Sequence, residues 1–469
     1  MGKIVGAYFL PHPPIMIEEI GGRESQKVSD TINSLQKVSK KIASQNPDTV
    51  IVITPHGPMF GDAMCFAMED THTGSFGRFG AATLKYKFKN DITLADKIME
   101  EADKEGVFCI PFTREMAKTY RADFELDHGA MVPLHFISID NKNVSLIHIT
   151  YSGLPIEDHY KLGIAIKRAI ESGDRDVVII ASGDLSHRLI HGAPAGYNER
   201  GKEYDEYLLE TVRRGDVSSF LSTEKGFIEA AGECAYRSLA VMYGCFDKCN
   251  LKGEIYSYEG PFGVGYGVAE ITWSDCDETE SRLVEHTKKV TDGISNVRKN
   301  EDSYVKLARL TLENKVKHNK ETKIPHDLSK ELLEERAGVF VSLKKNGELR
   351  GCIGTIKPTT KSIAHEIMQN AVSAGLNDPR FAPVEEHELD QLVYSVDVLG
   401  EAEKIYTKDL LDPKNYGVIV RKGYRTGLLL PNLEGVNTIE EQLSIALRKA
   451  GIRETENYEI ERFQVIRHN

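Results

Sequence analysis

Short β-branched apolar runs alternate with longer amphipathic stretches from the start of the chain to about Trp273. Ile4–Leu10, Thr49–Thr54, Val144–Thr150 and Val177–Ser182 have the length and composition of buried strands. Between them, Glu24–Gln45 and Leu94–Glu105 read as helices. In the first, Val28, Ile32, Leu35, Val38 and Ile42 recur every three or four residues and so share one face. Alternation of this kind covers both sides of a sheet, which predicts an α/β domain with a central mixed sheet flanked by helices.

The pattern breaks at Ser274. From there to Ser303 the chain is polar and charged, which predicts a connector, partly helical. Helical periodicity resumes over Tyr304–Lys315, and Ala337–Leu343 and Tyr394–Leu399 read as strands. The expected organisation is a domain over residues 1–273, a connector over 274–303 and a C-terminal α+β domain over 304–469, with no internal repeat.

Composition narrows the class. A chain of 469 residues is long for one domain and sufficient for two cores, and 41% hydrophobic with 28% charged residues is globular rather than collagenous or low-complexity. Lys plus Arg is 59 against 71 Asp plus Glu, a net charge of -12 that argues against a nucleic-acid or anionic-membrane binder. Seven cysteines without a repeating spacing read as reduced thiols, as in the cytoplasm. Pro11, Pro13 and Pro14 interrupt the first apolar run, so no signal peptide is expected, and no run approaches the ~20 apolar residues of a membrane helix.

Candidate chemistry gathers where the strands end. His12 lies in Leu10-Pro-His-Pro-Pro14 and His56 in Thr54-Pro-His-Gly-Pro58, each directly after an apolar run. Functional groups collect at the carboxyl ends of strands in open α/β sheets, and proline stiffens such exits. The run Val177–Ala181 leads into Ser182-Gly-Asp-Leu-Ser-His187, His128 follows in Leu126-Asp-His-Gly129, and Glu233 in Ala231-Gly-Glu-Cys-Ala-Tyr236 offers a carboxylate. Two histidines and one carboxylate suit a non-haem Fe(II) centre, and the same residue types suit a hydrolytic Zn²⁺ centre. Asp184, Ser186 and Asp127 can orient the neighbouring histidines or serve as turn and cap residues. His72, His135, His148, His159 and His191 lack such framing and read as structural, and Gly263-Val-Gly-Tyr-Gly267 reads as close strand packing rather than a dinucleotide loop.

The set LPHPP, TPHGP, LDHGA, SGDLSH and GECAYRSL, in this order over residues 10–240, resembles the class III extradiol dioxygenases, the LigB-like superfamily that includes the Memo proteins. The resemblance implies that His12, His56 and Glu233 hold iron, that His187 is the acid/base histidine and that His128 helps place substrate and oxygen. It implies an oxidoreductase that opens a catecholic or aminophenolic ring with O₂. A Zn-dependent hydrolase and a non-catalytic scaffold are the rival expectations.

In the second domain, Leu349-Arg-Gly-Cys-Ile-Gly-Thr355, Asn377-Asp-Pro-Arg-Phe381 and Gly427-Leu-Leu-Leu-Pro431 resemble the AMMECR family. Arg350 and Cys352 form a candidate second site, in which a nearby guanidinium lowers the thiol pKa and the Gly351 and Gly354 N–H groups bind an anion; a small buried cysteine is the competing reading. Arg350, Arg380 and Arg425 read either as a basic pocket or as solvated surface. The two resemblances together match parts of the AmmeMemoRadiSam set, which implies a radical SAM protein as partner; a second copy of this chain is the other candidate partner.

Overall fold

The computed structural model describes residues 1–137, 144–276, 280–345, 347–433 and 435–469. The chain forms two compact units, Met1–Thr287 and Lys288–Asn469. The predicted connector contains a helix, Arg282–Lys299, and the boundary between the units falls inside it; residues 277–279 of the connector lie outside the described residues.

The first unit is α/β. Its strands are β1 (Lys3–Leu10), β2 (Thr49–Thr54), β3 (Met64–Ala67), β4 (Thr71–Phe76), β5 (Ala81–Lys89), β6 (Cys109–Phe112), β7 (Ser145–Thr150), β8 (Asp176–Ser182), β9 (Asn250–Glu259) and β10 (Tyr266–Ser274). Eight form one sheet in the order β6-β3-β7-β2-β8-β1-β10-β9, and β4 pairs with β5 alone. The strands β7, β2, β8 and β1 run parallel, whereas β3, β9 and β10 add antiparallel pairs. Every residue of β2 is buried, as expected where helices cover both faces. Because β8 lies between β2 and β1, the exits of three adjacent parallel strands meet on one rim.

Two expectations need correction. The helix predicted from Glu24 begins as an α-helix only at Ser29; Gly22–Val28 winds as a 3₁₀ helix, entered at Gly22 with φ +50. Not all cysteines are free: Cys249, just before β9, is joined to Cys276, just after β10, because the antiparallel pairing of those strands sets the two residues side by side. Among the described residues no helix is long and apolar enough to cross a membrane.

The second unit is α+β. Its strands are β11 (Val339–Lys345), β12 (Glu348–Gly354), β13 (Leu392–Leu399), β14 (Glu403–Ile405), β15 (Gly417–Lys422), β16 (Arg425–Leu429), β17 (Glu459–Phe463) and β18 (Val465–His468). They make two four-stranded sheets, β12-β11-β13-β18 and β14-β17-β15-β16. Helices Ser303–His318 and Ile363–Leu376 supply Leu307, Leu312 and Ile367 to the core of the first sheet. A Cβ on Gly351 would stand 2.1 Å from the Ala374 carbonyl, and one on Gly354 would stand 2.2 Å from the Phe340 ring. These two glycines therefore serve close packing of β12.

In the first unit, helices Ile156–Glu171 and Tyr236–Gly244 meet through two glycines. A Cβ on Gly163 would lie 2.0 Å from the Val241 carbonyl, and one on Gly244 would lie 1.9 Å from the Tyr160 carbonyl. Both obstacles are backbone, so neither can yield by a rotamer change. Gly163→Ala is expected to destabilise the first unit by about 1–3 kcal/mol, read as a lower denaturant midpoint in urea unfolding; an unchanged midpoint would show that the helices can separate at no cost.

Candidate metal centre

His12 and His56 sit two residues beyond β1 and β2, and His187 ends the turn that leaves β8. His128 is the first residue of the helix His128–Ile137. Ring nitrogens of His12, His56 and His128 come within 4.8 Å of one another, making a group able to hold a metal ion. The His12 and His56 Nε2 atoms are 3.0 Å apart, and the His56 and His128 rings stack with centroids 4.3 Å apart.

Hydrogen bonds fix the His12 tautomer. The Ser182 hydroxyl donates its only proton to the Gly129 carbonyl, so at 2.9 Å from His12 Nδ1 its oxygen can only accept. Nδ1 therefore carries the proton and Nε2 presents its lone pair to the cluster. The His12 backbone N–H donates to Asp184 Oδ1 at 2.9 Å, which holds the Pro-His-Pro exit against the turn after β8.

Asp127 caps the helix that begins at His128, accepting from the Ala130 N–H at 3.2 Å. Its carboxylate also accepts from the Thr54 hydroxyl at 2.7 Å and pairs with His148 Nε2 at 2.8 Å. Burial works against this carboxylate, but His148 and Thr54 outweigh it and hold its pKa below the ordinary value. His148, read from the sequence as structural, thus anchors the residue beside His128.

Neither Cys234 nor Glu233 belongs to the metal-capable group, and Glu233 is taken up elsewhere. Its Oε2 accepts the Ala235 and Tyr236 N–H groups, both at 2.6 Å, and so caps the helix Tyr236–Gly244. Its neighbour Cys234 faces the histidines instead: the buried Sγ lies 3.6 Å from His12 Nε2 and 3.7 Å from His187 Nε2. Sequence reasoning passed over Cys234, although it sits in the same motif and a thiolate is itself a metal ligand. Ser186 holds the turn, donating its hydroxyl to the Ala231 carbonyl at 3.0 Å.

A cleft of about 320 Å³ opens beside the cluster, lined among others by His56, Pro58, Arg78, Phe79, Asp127 and His128. Its size lies at the lower end of small-molecule sites.

In the second unit the arginines read as a basic pocket or as solvated surface are each engaged by a carboxylate. Arg350 makes a two-point pair with Glu388 at 3.0 and 2.8 Å, Arg380 pairs with Asp378 at 2.7 Å, and Arg425 pairs with Glu456 at 2.9 Å. Burial pushes the Cys352 thiol up rather than down; its sulfur accepts from the Ser342 hydroxyl at 3.2 Å and its N–H donates to Asp378 at 2.9 Å. Gly351 and Gly354 lie within β12.

Loss of hydration is the leading influence on the titrating groups of the first unit, inside and outside the metal centre. Loss of hydration lowers His12 to about 3 and His72 and His159 to about 4, and it also lowers His56, His128 and His187. Burial raises Asp184 to about 6 and Glu233 and Asp205 to about 7. A histidine depressed in the fold contributes stability above pH 6.5 that is lost on acidification, whereas a raised carboxyl contributes on the acid side. With His135 also lowered by burial, seven histidines of the first unit outweigh the three raised carboxyls, so the thermal midpoint of the metal-free protein is expected to fall between pH 6.5 and 4. A midpoint that stays level or rises would contradict the neutral cluster.

Comparison with known proteins agrees with this layout. The model for the catalytic LigB subunit of aromatic ring-opening dioxygenase matches residues 6–269, and the AMMECR1 model matches residues 305–468. A protein of Clostridium acetobutylicum is 46% identical over 464 residues, 99% of this chain and 98% of its own length. One of Thermotoga maritima is 51% identical over 170 residues, 36% of this chain and 98% of itself. The crystal structure of an uncharacterized protein from Pyrococcus horikoshii aligns at 33% identity with 35% of this chain and 88% of its own, with a TM-score of 0.33. The chain belongs to the family of the catalytic LigB subunit of aromatic ring-opening dioxygenases, with an AMMECR1 domain fused after it.

Proposed function

We propose that the first unit is an Fe(II)-dependent dioxygenase that opens a small catecholic or aminophenolic ring with O₂. The observation that carries the reading is the cluster of neutral imidazoles His12, His56 and His128, two at parallel strand exits and one at a helix start, beside a cleft of single-ring size. The residues fit a metal. His12 and His56 Nε2, 3.0 Å apart, are close enough for one ion to take both. His12 and His56 would hold the ion, with Cys234 rather than Glu233 as the third ligand. Bound Fe(II) would supply the Lewis acidity and one-electron chemistry that let a dihydric aromatic react with O₂.

The surrounding residues handle protons and position. A catechol must lose a phenolic proton as it binds, and His187, kept neutral by burial and 3.7 Å from Cys234 Sγ, can accept it at Nε2. His128, stacked on His56 and 5.6 Å from the Phe79 ring, borders the space for the aromatic ring. Asp127 and Asp184 keep the rings in place through the bonds described above.

Cys234 gives the rival reading its support, because thiolate and imidazole ligands also suit Zn²⁺ and hydrolysis. Anaerobic loading with Fe(II), then oxygen uptake over a panel of catechols and aminophenols, separates the two. Stoichiometric iron with substrate-dependent uptake is expected; tightly held zinc and no uptake would favour the hydrolase. His187→Ala is expected to keep iron and lose at least ~100-fold in kcat. His12→Ala and Cys234→Ala are expected to lose metal while Glu233→Gln retains it, and the opposite pattern in metal analysis would restore Glu233 as ligand.

A further inference from the structure

The turn that carries His187 rests on a carboxylate from another part of the chain. Asp205, in the helix Arg200–Arg214, has no exposed surface. Its Oδ1 accepts the Ser186 N–H at 2.7 Å and its Oδ2 accepts the Tyr258 hydroxyl at 2.7 Å. Ser186 immediately precedes His187. Of the other N–H groups of the turn, Leu185 donates to the Gly265 carbonyl at 2.8 Å and His187 to the Ala231 carbonyl at 3.0 Å, while Asp184 donates to Cys234 Sγ at 3.2 Å. The Ser186 N–H thus ends on a side chain, and on one whose burial is destabilising unless both oxygens are bonded.

The chain makes room for this contact. A Cβ on Gly265 would stand 2.2 Å from Asp205 Oδ2, and one on Gly201 would stand 2.5 Å from the Ser186 hydroxyl. The run Gly263-Val-Gly-Tyr-Gly267 therefore has a local purpose besides strand packing: its central glycine leaves the space in which the carboxylate reaches the turn. A backbone amide held by a buried carboxylate has little freedom to swing, and the His187 imidazole must stay within reach of a substrate proton.

We propose that Asp205 is the positioning residue of His187, fixing the Leu185–Ser186 peptide at the turn's last step before His187 so that the imidazole stays on the Cys234 side of the metal centre. The proposal rests on the reading in which His187 moves the substrate proton. It assigns no contact between Asp205 and substrate or metal.

The test is a double-mutant cycle with Asp205→Ala and His187→Ala on Fe(II)-loaded full-length protein, read as kcat, KM and iron content. Asp205→Ala is expected to keep iron, leave KM within about twofold and lower kcat by about tenfold or more. On the His187→Ala background it is expected to cost nothing further. Asp205→Asn, which keeps an acceptor for the Ser186 N–H, is expected to recover most of the rate. Should Asp205→Ala fail to fold, Gly265→Ala displaces the same carboxylate and is expected to give the same pattern. Wild-type kcat in both Asp205→Ala and Gly265→Ala, or an equal loss with and without His187, would overturn the proposal. If no aromatic is turned over by the wild-type protein, the dioxygenase reading fails and the positioning role is still tested by NMR of labelled histidines. Asp205→Ala should then shift the His187 ring signal and leave those of His12 and His56, and an unmoved His187 signal would overturn it.

Discussion

The first unit depends on keeping several imidazoles uncharged within a few ångströms of one another. Charged imidazoles at such spacing would repel by several kcal/mol in a partly dry site, whereas neutral ones offer lone pairs to a common point. Loss of hydration keeps the buried His12 neutral, while at the exposed His56 the neighbouring His12 and His128 add to the lowering. The sheet order does the rest: β8 lies between β2 and β1, so residues far apart in the chain reach one rim without long excursions.

Much of that rim was legible in the sequence. A β-branched run ending in Pro-His identifies both a strand and its direction, which is why His12 and His56 could be placed together before any coordinates. The α/β class followed from the same alternation. Cys234 was not legible, because Glu233 and Cys234 are adjacent and only the local turn decides which side chain faces the histidines. There the helix after Ala235 needs a cap, and the carboxylate, with two N–H groups at 2.6 Å, takes that task. Asp205 was hidden for a related reason: an acidic residue within an amphipathic helix reads as solvent-facing, and its partners Ser186 and Tyr258 are distant in sequence. Pairing of Cys249 with Cys276 likewise depends on the β9–β10 register, which spacing between cysteines does not encode.

The second unit shows how a specific motif can mislead about chemistry. In Leu349-Arg-Gly-Cys-Ile-Gly-Thr355 each element invites a reading as a reactive loop. In the fold, the glycines admit a helix backbone and an aromatic ring, and the arginine is matched by Glu388. Each arginine considered for a basic pocket is engaged by a carboxylate, although Glu388 is shared with Lys345 and Glu456 with Lys422 and Arg453.

The position of β1 has a consequence for how the protein is made. This strand, its last five residues buried, pairs among the described residues with β8 and β10. About 165 residues separate its end at Leu10 from Asp176, where β8 begins. At ordinary rates of synthesis of about 5–20 residues per second, the strand waits roughly 8 to 33 s before its first neighbour emerges. His12 therefore meets no other histidine of the rim in its final place until most of the unit has been translated. The native spacing of the rim is thus completed only after β8 has been made.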